Sequence, residues 1–183
     1  VSLASELLDQ AEMLVKREPK NPRQASLRRA VSAAYYALFH LLSEAAARQF
    51  AELCGRGDAG TVSRIARSFS HVDMKKAADV FGTPDKQGNY KLPVAFQTVE
   101  EKFTPSDGLK QVAATFSLLY QARMDADYDT GQPVTRPEAL KRIAEAKEAF
   151  DAWEVVKGSP DARLLLACFS LLKTWNVDRN KQQ

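Results

Sequence analysis

The chain is poor in the residues that build metal and disulfide sites. It holds two cysteines and two histidines in 183 residues. Cys54 and Cys168 stand far apart and outside any Cys-x-x-Cys pattern. That argues against a disulfide framework or a zinc cluster and fits a reducing, cytoplasmic setting. His40 and His71 are too few for a histidine-rich metal centre. An excess of one charge is also missing, since 26 basic residues face 23 acidic ones for a formal net charge of +3. Bulk charge therefore does not mark a nucleic-acid binder, and any basic surface must come from local clustering. Long apolar runs are absent as well. The run at residues 164–169 is far too short to cross a membrane. The opening residues carry Glu6 where a secretory leader has a basic region, so no leader is expected there. Gly-rich phosphate loops, Gly-x-Ser-x-Gly elbows, His-Glu-x-x-His pairs and EF-hand loops do not occur, so no cofactor and no metal is expected.

What is present is helical periodicity in a chain of single-domain length, 45% apolar and 27% charged. Residues 2–16 predict a helix with Leu3, Leu7, Ala11 and Leu14 on its buried face. Pro19 and Pro22 break it. A long helix over 23–54 follows, its core stripe made of Leu27, Val31, Tyr35, Leu38, Leu42 and Ala45, and glycines from Gly55 onward stop it. Residues 61–81 predict one helix or two, because Ser70 with Asp73 three residues later resembles a restarting cap. Residues 82–106 are rich in Gly, Pro and polar residues and read as a long loop with a helical turn near 94–101.

A further helix is expected over 106–129, with Leu109, Val112, Phe116, Leu119 and Tyr120 inward. Thr135, Pro137 and Glu138 form a start signal for a helix running to about 157, which buries Ala139, Ile143, Ala146, Phe150 and Trp153. Residues 161–175 form a last helix, apolar almost all round, which must be covered by its own core or by another subunit. The polar tail 176–183 completes the chain. The fold class is all-α, with residues 1–157 as a helical bundle and 158–183 as an additional apolar helix and tail.

Four groups of side chains could carry chemistry. Arg29, Ala33, Tyr36 and His40 recur on one face of the second helix, where Tyr36 and His40 are one turn apart. That strip either binds a phosphodiester or is ordinary packing of aromatics. Arg123 and Asp127 form an i,i+4 pair followed by Tyr128. They make either a plain intrahelical ion pair or an arginine aimed at a cleft. Arg64, Arg67, His71 and Lys75 align as a basic stripe only if residues 61–81 are one continuous helix. Lys16, Arg17, Lys20, Arg23, Arg28 and Arg29 form the densest basic cluster, interrupted by the single acid Glu18. It suits RNA, an acidic partner or simple solubility.

Several of these segments together resemble a known family. Leu27-Arg-Arg-Ala-Val-Ser-Ala-Ala-Tyr-Tyr-Ala-Leu-Phe-His40, a helix opening at Ser70-His71, Arg123-x-x-x-Asp-Tyr-Asp129 and the Glu-Ala-x-x-x-Ile-Ala-Glu-Ala pattern from Glu138 are similar to HEPN domains, in order and spacing over residues 3–155. The resemblance implies an antiparallel, up-and-down bundle that usually forms a homodimer. Many such domains are metal-independent ribonucleases with a short Arg-to-His motif, their sites shared across the dimer. Some are toxins paired with a nucleotidyltransferase-like antitoxin, and others are RNA-binding or adaptor modules.

The nuclease motif normally lies on the later core helix. There this chain has Arg123, with Asp127 and Tyr128 where a histidine would follow. Arg64 and His71 meet the spacing, with six residues between them, on an earlier segment. Two functions are therefore expected as alternatives. The first is a binding or regulatory module whose cleft, lined by Arg29, Tyr36, His71, Arg123 and Asp127, takes RNA, a nucleotide or a partner protein. The second is a metal-independent endoribonuclease cleaving by 2′-hydroxyl attack. In that case Arg123 or Arg64 stabilises the phosphorane charge and His71 or His40 acts as general acid and base.

Overall fold

The structure, a computed structural model, describes residues 2–93, 96, 97 and 103–179, with side chains as far as residue 170. Among the described residues there are seven helices and no strand: α1 (Leu3–Lys16), α2 (Gln24–Leu53), α3 (Ala59–Ala66), α4 (His71–Gly82), α5 (Asp107–Tyr128), α6 (Arg136–Val156) and α7 (Pro160–Arg179).

Local chemistry sets most of the boundaries. Ser2 and Ser5 close a reciprocal cap on α1, and Thr135 and Glu138 close one on α6. Gly55, at φ 64°, takes the left-handed turn that ends α2. Residues 61–81 are two helices. The Asp58 side chain caps α3, the chain turns at 67–70, and the Ser70 hydroxyl accepts from the Asp73 amide to start α4. The break dissolves the expected basic stripe. Asp85 organises the turn after α4 by accepting the amides of Gln87 and Asn89. The helical turn expected at 94–101 lies largely outside the described residues; of it, only Phe96 and Gln97 are described.

α2 is the axis of the fold and touches α1, α3, α5, α6 and α7. Its expected stripe is buried as far as Leu42, with Ala45 only partly so. Inter-helix bonds fix the directions. Arg28 near the start of α2 meets the end of α5, so those two helices are antiparallel. Lys147 pairs with Glu12, and Arg136 donates to the carbonyls of Glu18 and Pro19, so α6 runs antiparallel to α1. Asp79 accepts from Ser117 at one end of the α4–α5 seam. Near that end a Cβ on Gly82 would lie 2.5 Å from the Ala114 nitrogen, so only glycine lets α4 and α5 approach this closely.

The buried face of α1 departs from expectation by one position. Ala4, Leu8, Ala11 and Val15 enter the core, whereas Leu3 is 53% exposed and Leu7 and Leu14 are half-buried. Apolar neighbours at 7–8 and 14–15 give two stripes of similar hydrophobicity, and the contact with α2 selects one. As far as its side chains are described, α7 is covered by its own chain, with Ala162, Leu165, Leu166, Cys168 and Phe169 buried in the main core. Leu171 and Leu172 lie outside the described side chains. No helix among the described residues is long and apolar enough to cross a membrane.

Candidate functional site

The α2–α5 seam carries two i,i+4 pairs that face each other in opposite directions. On α2 they are Ser32 and Tyr36; on α5 they are Asp127 and Arg123. The Ser32 hydroxyl donates to Asp127 Oδ1 at 2.6 Å, and Arg123 Nη2 donates to the Tyr36 hydroxyl at 2.9 Å. Helical spacing on antiparallel helices produces this ladder, since one turn of each brings the next pair into register. Arg123 Nε stands 2.7 Å from Asp127 Oδ2, but its N–H is not aimed along that line, so the contact is ionic. The pair is largely shielded, at 15% and 19% side-chain exposure. The guanidinium carbon lies 5.5 Å from the centre of the Tyr36 ring and 5.6 Å from that of Tyr128, within cation–π range of both. Tyr128 is 66% exposed, so most of its ring is open to solvent.

The start of α4 adds the imidazole. His71 Nδ1 is 2.8 Å from the hydroxyl of the fully buried Tyr35, the Phe39 ring packs at 4.0 Å, and the Tyr36 ring meets His71 edge-on at 5.7 Å. Burial lowers the His71 pKa from its ordinary value, and the charges of Arg123 and His40 add to the effect. Burial pushes the Tyr35 phenol far upward, so it keeps its proton. Among the described residues that hydroxyl has one acceptor, Nδ1, which places the proton of the neutral ring on Nε2. Burial also lowers the His40 pKa, opposed by Glu44.

Five of the residues singled out in the sequence are thus joined: Tyr36, His71, Arg123, Asp127 and Tyr128. His40 lies at the edge of the group, against Phe39. Although it stands one turn from Tyr36, no contact between the two is made among the described residues; the imidazole that meets the tyrosines is that of His71. Arg29 is exposed on the same face of α2, beside a groove that also borders Tyr36. Arg28 stands apart from the ligand-binding role expected of it. Its guanidinium donates to the carbonyls of Ala126, Asp129 and Gln132 and closes the end of α5.

Arg64 also stands apart. It is exposed on α3 and folds back onto the Gly60 carbonyl. α3 packs by Val62 against Ala47 and Ala51, and Ala47 lies about 16 Å along α2 from Tyr36. Ser32, Tyr35 and Phe39 were missed as parts of the group. A serine amid alanines on a buried helix face was the available signal, because its hydroxyl must find a partner.

A larger cleft of about 910 Å³ lies at the opposite end of α2, with Trp153 and Leu166 in its floor and charges of both signs around it. Its polar side chains pair locally, Arg48 with Glu44 and Lys157 with Glu154, and no histidine or tyrosine lines it. No group of three His, Cys, Asp or Glu among the described residues is placed to hold a metal ion. Comparison with known proteins yields no matching family model, no matching curated protein and no matching solved structure.

Proposed function

We propose that the chain is a HEPN-like module that binds unpaired RNA at the α2–α4–α5 face, working as a homodimer in the cytoplasm. The observation that supports this most directly is Arg123. Asp127, Tyr36 and Tyr128 hold it in place, and the imidazole of His71 packs against the same Tyr36 ring. A fixed guanidinium suits a phosphodiester oxygen, and Tyr128 is exposed enough to stack on a base. His71 Nε2–H adds a neutral donor. The experiment is fluorescence anisotropy with a labelled single-stranded RNA. Arg123→Ala should weaken binding about tenfold or more. Absence of binding by the wild type, or equal binding by the variant, would overturn the proposal. The mass of the protein in solution tests the homodimer.

One observation favours the ribonuclease reading: two imidazoles, His40 and His71, both pack against the Phe39 ring, near Arg123. The protonation states weigh against it at neutral pH. Attack by the 2′-hydroxyl needs a base and departure of the 5′-oxygen needs an acid, and burial biases both rings toward the base form. In this reading cleavage in EDTA is confined to pH below the ordinary histidine range and disappears in His71→Ala. Such a toxin would pair with an antitoxin of the nucleotidyltransferase-like kind. Intact RNA from pH 5 to 8 would dismiss it.

A further inference from the structure

A groove of about 340 Å³ opens between α1 and α2 beside the polar ladder. From α1 come Leu7 and Leu14, both half-buried at the edge of the core, and Gln10 between them. From α2 come Ala33 and Arg29. Two further residues, Ser32 and Tyr36, border the groove and also belong to the ladder, the first through Asp127 and the second through Arg123. The groove and the guanidinium are therefore contiguous.

Its chemistry is selective. The walls are aliphatic except for the Tyr36 ring. Gln10 is exposed and its amide has no partner among the described residues, so it offers both a donor and an acceptor. Arg29 is exposed at the same groove and has no ion pair among the described residues. No carboxylate lines the groove. The volume falls within the range of ~300–1,000 Å³ usual for small-ligand sites. A flat apolar face, a hydrogen-bonding edge and an attached anion are what these walls, this amide and these two arginines would take. A purely apolar occupant would leave the amide and the arginine unanswered.

We propose that this groove is the nucleobase subsite of the RNA-binding face, taking one unpaired base with its edge on Gln10 and its phosphate toward Arg29 and Arg123. The inference rests on the RNA reading above, and its test separates the two. The probes are a labelled single-stranded RNA and the same oligomer with its bases removed at successive riboses.

The wild type should bind the intact strand about tenfold more tightly than the abasic one. Gln10→Ala, a surface change, and Leu14→Ala should each narrow that ratio while leaving affinity for the abasic strand unchanged. Arg123→Ala should weaken both strands in parallel and keep the ratio. Equal binding of the two strands by the wild type overturns the base subsite, and with it the stacking on Tyr128, and leaves standing the RNA contact through Arg123. Binding of neither overturns both. A ratio unmoved in Gln10→Ala and Leu14→Ala, or a changed solution mass in either, also overturns the subsite, the latter by showing that the groove joins two copies.

Discussion

Arg28 and Arg123 occupy two regions of one seam and are held in opposite ways. At the end of α5, Arg28 meets three backbone carbonyls, and three of its five N–H donors go to closing that end. In the middle of the seam, Arg123 meets side chains only: a carboxylate, a phenol, a thioether and two aromatic faces. Carbonyls belong to the fold and cannot leave it, so Arg28 is part of the architecture. Side-chain partners can be exchanged for a ligand oxygen at little cost to the backbone, and that makes Arg123 the better candidate for recognition. The same residue type on the same two helices is separated in role by the kind of acceptor it meets.

The comparison can be broken by substitution. The largest effect is expected for Arg28→Ala, which removes the partner of the part-buried Ala126 carbonyl in the last turn of α5 and the tie from α2 to the segment that follows it. Urea unfolding should show a loss of about 2–4 kcal/mol, while RNA affinity of the folded protein stays within twofold. A loss of affinity without a loss of stability would reverse the roles assigned to the two arginines. Arg123→Ala should cost less stability, about 1–2 kcal/mol, because Asp127 keeps its bond from Ser32. If it proves more destabilising than Arg28→Ala, the distinction fails.

The next effect is set by pH. Burial holds both histidines below their ordinary value, so the unfolded chain takes up their protons, near pH 6.5, before the folded chain does. Their contribution to stability is complete above that pH and is lost as pH falls through the lower folded values. The urea midpoint should fall between pH 7 and pH 5, and His71→Gln should flatten the decline. A level profile for the wild type would contradict the neutral ring bonded to Tyr35. The smallest effect belongs to Arg64→Ala. Exposed on α3 and bonded only to its own helix, it should change neither the urea midpoint nor RNA affinity.

How much of this was legible in the sequence varied with the range of the cause. Caps and stops act within a few residues, so Ser70, Thr135 with Glu138, Gly55 and the prolines marked the helices closely. The face of α1 was not legible, because Leu7–Leu8 and Leu14–Val15 give equivalent stripes and only the partner helix decides between them. The i,i+4 pair Arg123–Asp127 was visible. Its registration with Tyr36 and Ser32 was not, since it depends on how α5 slides along α2. Arg28 looked like one more member of a basic cluster. Its carbonyl partners lie roughly a hundred residues away, and no local pattern announces them.

The missing side chain at Gly82 reaches further than its own position. It sits at the far end of α4 from His71, eleven residues or about 16 Å away. There it allows two backbones to touch where any methyl group would wedge them apart. The two helices so pinned are the ones that carry the imidazole and the guanidinium. A single added carbon there would push the two helices apart and so disturb the face without altering any residue on it.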